Sequence, residues 1–280
     1  METRTPARVI RAMDTSDGAG VKLRRTLGSP RLDSLDPFLL LDEFRSDRPD
    51  DYIAGFPEHP HRGFETVTYM LAGHMEHRDH TGRTGTLVAG SVQWMTAGRG
   101  IIHSEMPRQV EGLMWGFQLW VNLPAAEKMG PPRYQEFPPE SIPTVSLPGG
   151  VRVTVVAGEC AGTTGAVSGI ATQPLYLDVS LPAGAAFEQA LPAGHACCAY
   201  VFEGRALFGD ETTPVDAAHL AVLEGGERVT VAAGDAPARL LLLAARPLRE
   251  PIARYGPFVM NTEQELRQAL DDLRKGTLAG

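Results

Sequence analysis

The sequence predicts an all-β protein: two β domains in succession, each a sandwich or barrel, with one short α-helix at the C-terminus. Three observations carry this prediction. The 30 glycines and 22 prolines are scattered between short apolar runs, the punctuation of a chain of strands and turns. Several of those runs alternate with a period of two, as half-buried strands do. The second half of the chain also reads as a weak copy of the first.

The elements follow in order. From Glu65 to Leu71, one face carries Glu65, Val67, Tyr69 and Leu71; His59 and His61 share this parity, and Gly63 leaves room for a bend between. Leu113, Trp115, Phe117, Leu119, Val121 and Leu123 form an unbroken apolar face. From Pro124 to Pro148 proline recurs at a density that blocks continuous sheet pairing, so this stretch is expected to connect the domains. The resulting division is 1–130 for the first domain and 131–280 for the second. Leu175, Leu177, Val179 and Leu181 resume the alternation.

The copy is visible in two places. Tyr69-Met70-Leu71-Ala72-Gly73 resembles Tyr200-Val201-Phe202-Glu203-Gly204, and Gly90 to Gly98 resembles Gly226 to Gly234 with the same spacing. These registers carry His59, His61 and Glu65 onto Ala190, Pro192 and Ala196, and His103 and Glu105 onto Arg239 and Leu241. Only the first domain is then expected to bind metal. At the end of the chain, Thr262-Glu263-Gln264-Glu265 is a capping box. Leu266, Ala269, Leu270 and Leu273 follow at helical spacing, and Lys275-Gly276 supplies a stop. A helix over 262–275 should pack its apolar stripe on a barrel.

Bulk properties exclude several classes. The net charge is −8 with no basic run, so direct nucleic-acid binding and anionic lipid are not expected. The three cysteines, Cys160, Cys197 and Cys198, are odd in number and two are adjacent, which argues against a disulfide framework and for a reducing compartment. No apolar run approaches the ~20 residues needed to span a bilayer, and the N-terminus leads into no signal core. A cytoplasmic protein is expected.

Two short stretches carry the chemistry. In His59-Pro60-His61-Arg62-Gly63-Phe64-Glu65 and in His103-Ser104-Glu105, metal-type ligands stand two residues apart, on one face of a strand. Imidazole and carboxylate ligands from two facing strands suit one divalent first-row metal, Fe(II), Mn, Ni or Zn, with positions left open. His59, His61 and His103 are the firmest ligands. Either Glu65 or Glu105 is the fourth, and the other is left as a hydrogen-bonding neighbour or a base. A metal-dependent protein that handles dioxygen is the leading reading. The remaining candidates read as structural. His74, His77 and His80 lie in a polar, turn-rich stretch expected to be a solvated hairpin loop. His195 and His219 are single. Cys197 and Cys198 alternate faces, so one thiol is expected to be buried. Lys22, Arg24, Arg25 and Arg254 read as surface charges, and Trp94, Trp115 and Trp120 as core.

Longer motifs carry a family resemblance. The segments from His59 to Tyr69, Gln93 to Pro107, Gln118 to Pro124, Asp36 to Phe44, Pro132 to Gln135 and Tyr255 to Thr262 resemble the pirins, a family of bicupins. The resemblance covers nearly the whole chain. It implies two cupin, jelly-roll-type barrels and one mononuclear iron in the N-terminal barrel, with Mn, Ni, Zn and Cu as alternatives. The pirin ligand pattern maps onto His59, His61, His103 and Glu105, and leaves Glu65 near the site where many other cupins carry a ligand glutamate. The alanine-rich strands and Cys197-Cys198 of the second barrel are less typical. The resemblance further implies quercetin 2,3-dioxygenase activity: a flavonol bound through its 3-hydroxyl loses its proton to Glu105 or Glu65 and is cleaved by dioxygen with release of carbon monoxide. The alternative it implies is a non-enzymatic, iron-dependent redox-responsive regulator that binds a protein partner. A monomer is expected on family grounds.

Overall fold

The period-two patterning produces what it predicts. The computed structural model describes residues 2–280 and is built almost wholly of antiparallel strands, with a single α-helix among the described residues, Glu263–Lys275. No helix of the described residues is long and apolar enough to cross a membrane.

The strands form two compact units. One comprises Asp14–Pro139 with Leu248–Gly280; the other comprises residues up to Met13 with Glu140–Pro247. This differs from the contiguous division at residue 130, for reasons of strand pairing. Thr5–Arg11 pairs with His219–Glu224 of the second unit. Arg133–Phe137, inside the proline-rich stretch, pairs with Val92–Thr96 of the first. The prolines flank this strand, and none stands within it, so its ladder is unbroken.

Each unit is built on a pair of antiparallel sheets, one of seven strands and one of four, with a two-stranded ladder besides. In the first, the larger sheet runs Arg133–Phe137, Val92–Thr96, Phe64–Ala72, Met114–Asn122, Phe38–Ser46, Val21–Arg25, Met13–Asp17. Its smaller sheet runs Phe56–His61, Ile101–Pro107, Met75–Asp79, Thr84–Leu87. The second unit repeats both orders, which bears out two cupin barrels and the internal duplication. One of the two sequence registers is corrected. His219–Glu224, not Arg228–Ala233, takes the place of Val92–Thr96: it pairs with Ala196–Glu203 as Val92–Thr96 pairs with Phe64–Ala72. Arg228–Ala233 corresponds to Ile101–Pro107 in the smaller sheet.

That correction leaves the second interior without ligands. Phe187, Val229 and Val231 stand on the two strands matching the ligand-bearing pair, and they belong to an apolar cluster with Phe208, Val201 and Leu240. Burying such side chains removes about 25 cal/mol per Å² of apolar surface from water, so this barrel is filled by packing.

The helix forms where its capping box predicts. Glu265 N–H donates to Thr262 Oγ1, Thr262 N–H donates to Glu265 Oε2, and Gly276 ends it in the left-handed region. Leu266 and Ala269 pack with Phe258, Met260 and Leu278, against Ile102 of Ile101–Pro107, so the tail belongs with the first unit.

Candidate metal centre

The two motif strands lie side by side. Phe56–His61 and Ile101–Pro107 pair antiparallel with His103 opposite His59 and Ile101 opposite His61. A register shift between His103 and Glu105 brings Glu105 opposite Phe56. The ring centres of His59 and His103 are 4.4 Å apart, those of His59 and His61 4.6 Å, and those of His61 and His103 5.0 Å. One ring nitrogen from each lies within 4.8 Å of the others.

The donor chemistry fits a metal. Both ring nitrogens of His61 and of His103 are buried and have no hydrogen-bond partner. Four orphaned polar atoms in one place are costly unless something binds them. Burial, together with the neighbouring histidines, holds His61 and His103 well below the usual imidazole range, so both keep lone pairs for coordination. His59 Nδ1 lies 2.8 Å from the carbonyl of Pro57, which fixes Nδ1 as the donor and leaves Nε2 to coordinate.

Glu105 stands beside this triad. Its carboxylate and the rings of His59 and His61 line one cavity of about 350 Å³, though Glu105 is not part of the tight three-histidine group. Thr68 Oγ1 lies 3.0 Å from Glu105 Oε1 and 2.7 Å from the Gln118 side-chain amide, which orients the carboxylate. Leu23, Leu40, Phe44, Phe56 and Met75 supply the apolar walls.

Glu65 is elsewhere. The strand from Phe64 belongs to the seven-stranded sheet, whereas His59 and His61 belong to the four-stranded one, so shared parity does not mean a shared face. Thr68 faces the cavity, and Glu65, three residues away, faces the opposite side. There its Oε1 accepts a 2.7 Å hydrogen bond from Thr96. Burial pushes its pKa up to about 7, against the pull of Thr96 and Trp94.

The break between the sheets is made by Gly63, whose φ of +87° and proximity to Val259 exclude a side chain: a Cβ there would lie 2.0 Å from the Val259 carbonyl oxygen. Lys128, wholly buried, ties this turn together by donating to the carbonyls of Gly63 (2.6 Å) and Val259 (2.9 Å) and to Asn122 Oδ1 (2.6 Å). Arg62, next to His61, is also buried. It donates to the carbonyls of Arg99 and Leu278 and to Asp272 of the helix.

Three further expectations are corrected. His77 is not in a solvated loop. It lies on Met75–Asp79, cross-strand from Glu105, is 1% exposed, and its Nε2 sits 2.8 Å from Glu136. Its partner comes from the proline-rich stretch, so only the tertiary fold reveals the pair; the alternation Met75, His77, Asp79 was the available signal. Arg25 and Arg254 are not free surface charges but line the cavity. Trp120 lines it too, edge-on to His61 with centres 5.5 Å apart, whereas Trp94 and Trp115 are core as expected.

Residues 20–121 match the family model described as Pirin, and residues 176–279 match Pirin C-terminal cupin domain. The chain belongs to the pirin family. It is 50% identical to a pirin-like protein of Caulobacter vibrioides over 277 residues, which spans 99% of both chains. It is 46% identical to human pirin over 270 residues, 95% of this chain and 90% of the other. Among solved structures, a quercetin 2,3-dioxygenase from Acinetobacter baumannii superposes with a TM-score of 0.91 at 33% identity, covering 99% of each chain. This pirin therefore carries a three-histidine group able to hold a metal.

Proposed function

We propose that this pirin is a metal-dependent dioxygenase that cleaves a flavonol-type ring and releases carbon monoxide, with Fe(II) held by His59, His61, His103 and Glu105. The observation that carries the reading is the three-histidine group, with the ring nitrogens of His61 and His103 buried and unpartnered, beside an apolar cavity that His59 and His61 line and that is large enough for a small aromatic ligand. The likeness to the Acinetobacter quercetin 2,3-dioxygenase supports it.

A bound divalent metal supplies a Lewis-acid and redox centre that acidifies a coordinated hydroxyl and brings substrate and dioxygen together. The protein's own residues do the rest. The apolar walls orient the flat ring system and exclude water. Asp17 and Asp42 are committed to Arg25, so Glu105 is the cavity carboxylate that accepts the proton of the substrate hydroxyl. Glu65, on the other side of its strand, takes no part.

The test is to load the protein with Fe(II) under nitrogen, add quercetin and air, and follow flavonol loss together with carbon monoxide. Carbon monoxide from the wild type and none from His61→Ala is the expected result. Iron retained without turnover would sink the reading and favour the redox-responsive regulator, whose mark is partner binding that changes between Fe(II) and Fe(III).

A further inference from the structure

Two arginines line the metal cavity, and only one of them is neutralised. Arg25 donates to both carboxylate oxygens of Asp42, at 2.8 and 2.6 Å, and to Asp17 at 2.8 Å. Arg254 makes one hydrogen bond, from Nη1 to the Leu39 carbonyl at 3.2 Å, and no ion pair within 4 Å among the described residues. A guanidinium has five N–H donors, so most of its fork is uncommitted.

Its position is specific. The guanidinium carbon lies 4.9 Å from the ring centre of Trp120, and Trp120 in turn meets His61 edge-on. Arg254, Trp120 and His61 thus form one continuous wall that ends at the metal triad. The ring face holds the cation without using the hydrogen-bonding edge of the fork. Burial and the like charge of Arg25 both work against the Arg254 cation and outweigh the attraction of Asp33, Asp42 and Asp17. An anion brought into the cavity would relieve this, and a forked guanidinium matches a carboxylate or an enolate oxygen.

We propose that Arg254, stacked on Trp120, is a subsite for an anionic oxygen carried on the end of an aromatic ligand remote from its metal-binding oxygens. The cavity then selects aromatic or enolic acids over their neutral analogues. This rests on the cavity being the substrate site of the proposed oxygenase, and it names the charge class of that substrate.

The experiment uses the full chain loaded with redox-inert Ni(II), under nitrogen, with calorimetry of three probes: 3,4-dihydroxybenzoate, 3,4-dihydroxybenzamide and catechol. The wild type is expected to bind the acid at least about tenfold more tightly than the amide, the scale of one charge-assisted hydrogen bond. Arg254→Gln should bring acid and amide together while leaving catechol affinity and nickel stoichiometry unchanged. Arg254→Met, which keeps an apolar side chain over Trp120, is the second variant should the first fold poorly. Equal affinity of acid and amide for the wild type overturns the proposal. A preference that survives either variant overturns it as well, because the anion is then read by the metal or by Arg25. Binding is read without dioxygen, so failure of flavonol turnover would refute the oxygenase reading and leave this result standing.

Discussion

Arg62 Nη1 donates to Asp272 Oδ2 at 2.7 Å, joining the neighbour of the candidate ligand His61 to the last helix across 210 positions of sequence. The same guanidinium holds the carbonyls of Arg99 and Leu278, and Gly100 packs so closely on Leu278 that a Cβ would lie 2.1 Å from its oxygen. Both histidine-bearing segments, at 59–61 and 101–105, are therefore braced by the end of the chain. Asp272→Asn removes a charged partner from a nearly buried arginine and should destabilise the metal-free protein by roughly 2 kcal/mol. Urea denaturation measures this directly, and metal retention during gel filtration should fall in parallel. Unchanged stability would show that the brace is incidental.

Thr68 orients Glu105 through its hydroxyl, which donates to Glu105 Oε1 at 3.0 Å. Thr68→Val should keep one metal per chain but weaken its binding about tenfold, as loss of a ligand's hydrogen-bonding partner commonly does. His61→Ala should lose the metal outright. Competition with a chromophoric chelator gives both affinities. Equal affinity for wild type and Thr68→Val would remove Glu105 from the ligand set.

Glu65 offers a test by pH. Its pKa stands at about 7 in the folded protein against 4.5 for an ordinary glutamate. The folded state thus holds this proton more tightly than the unfolded state, and the stability it lends is full below 4.5 and lost as pH rises through 7. The loss above pH 7 is about 3 kcal/mol. Glu65→Gln should therefore stabilise the metal-free protein at pH 8 and lose most of that advantage near pH 4.5. Parallel denaturation curves at the two pH values decide it, since a pH-independent difference contradicts the burial of an ionisable group. Metal affinity should be untouched.

The cysteines should be inert. Cys160, Cys197 and Cys198 are free thiols, all buried, with exposures of 2%, 1% and 0%. Burial raises the pKa of each, that of Cys197 to about 12. Native protein should show no reaction with a disulfide reagent over minutes, and three thiols should appear on unfolding. Rapid labelling of native Cys197 or Cys198 would reopen a thiol-based redox role.

Much was legible in the sequence by itself. Period-two runs determined the all-β class, the capping box fixed where the helix begins, and the pairing of His59 with His61 was readable because residues two apart on a strand share a face. The tyrosine-centred repeat was readable for the same local reason. What the tertiary structure decided involves partners distant in sequence. Parity along a strand holds only while the strand stays in one sheet; the turn at Gly63 changes sheets, and Glu65 thereby leaves the site. His77 and Glu136 meet because a strand from the proline-rich stretch joins the first unit's sheet. Arg254 reaches the cavity because residues after Pro247 return to the first unit. Sheet membership and chain return depend on long-range pairing, which no local spacing encodes.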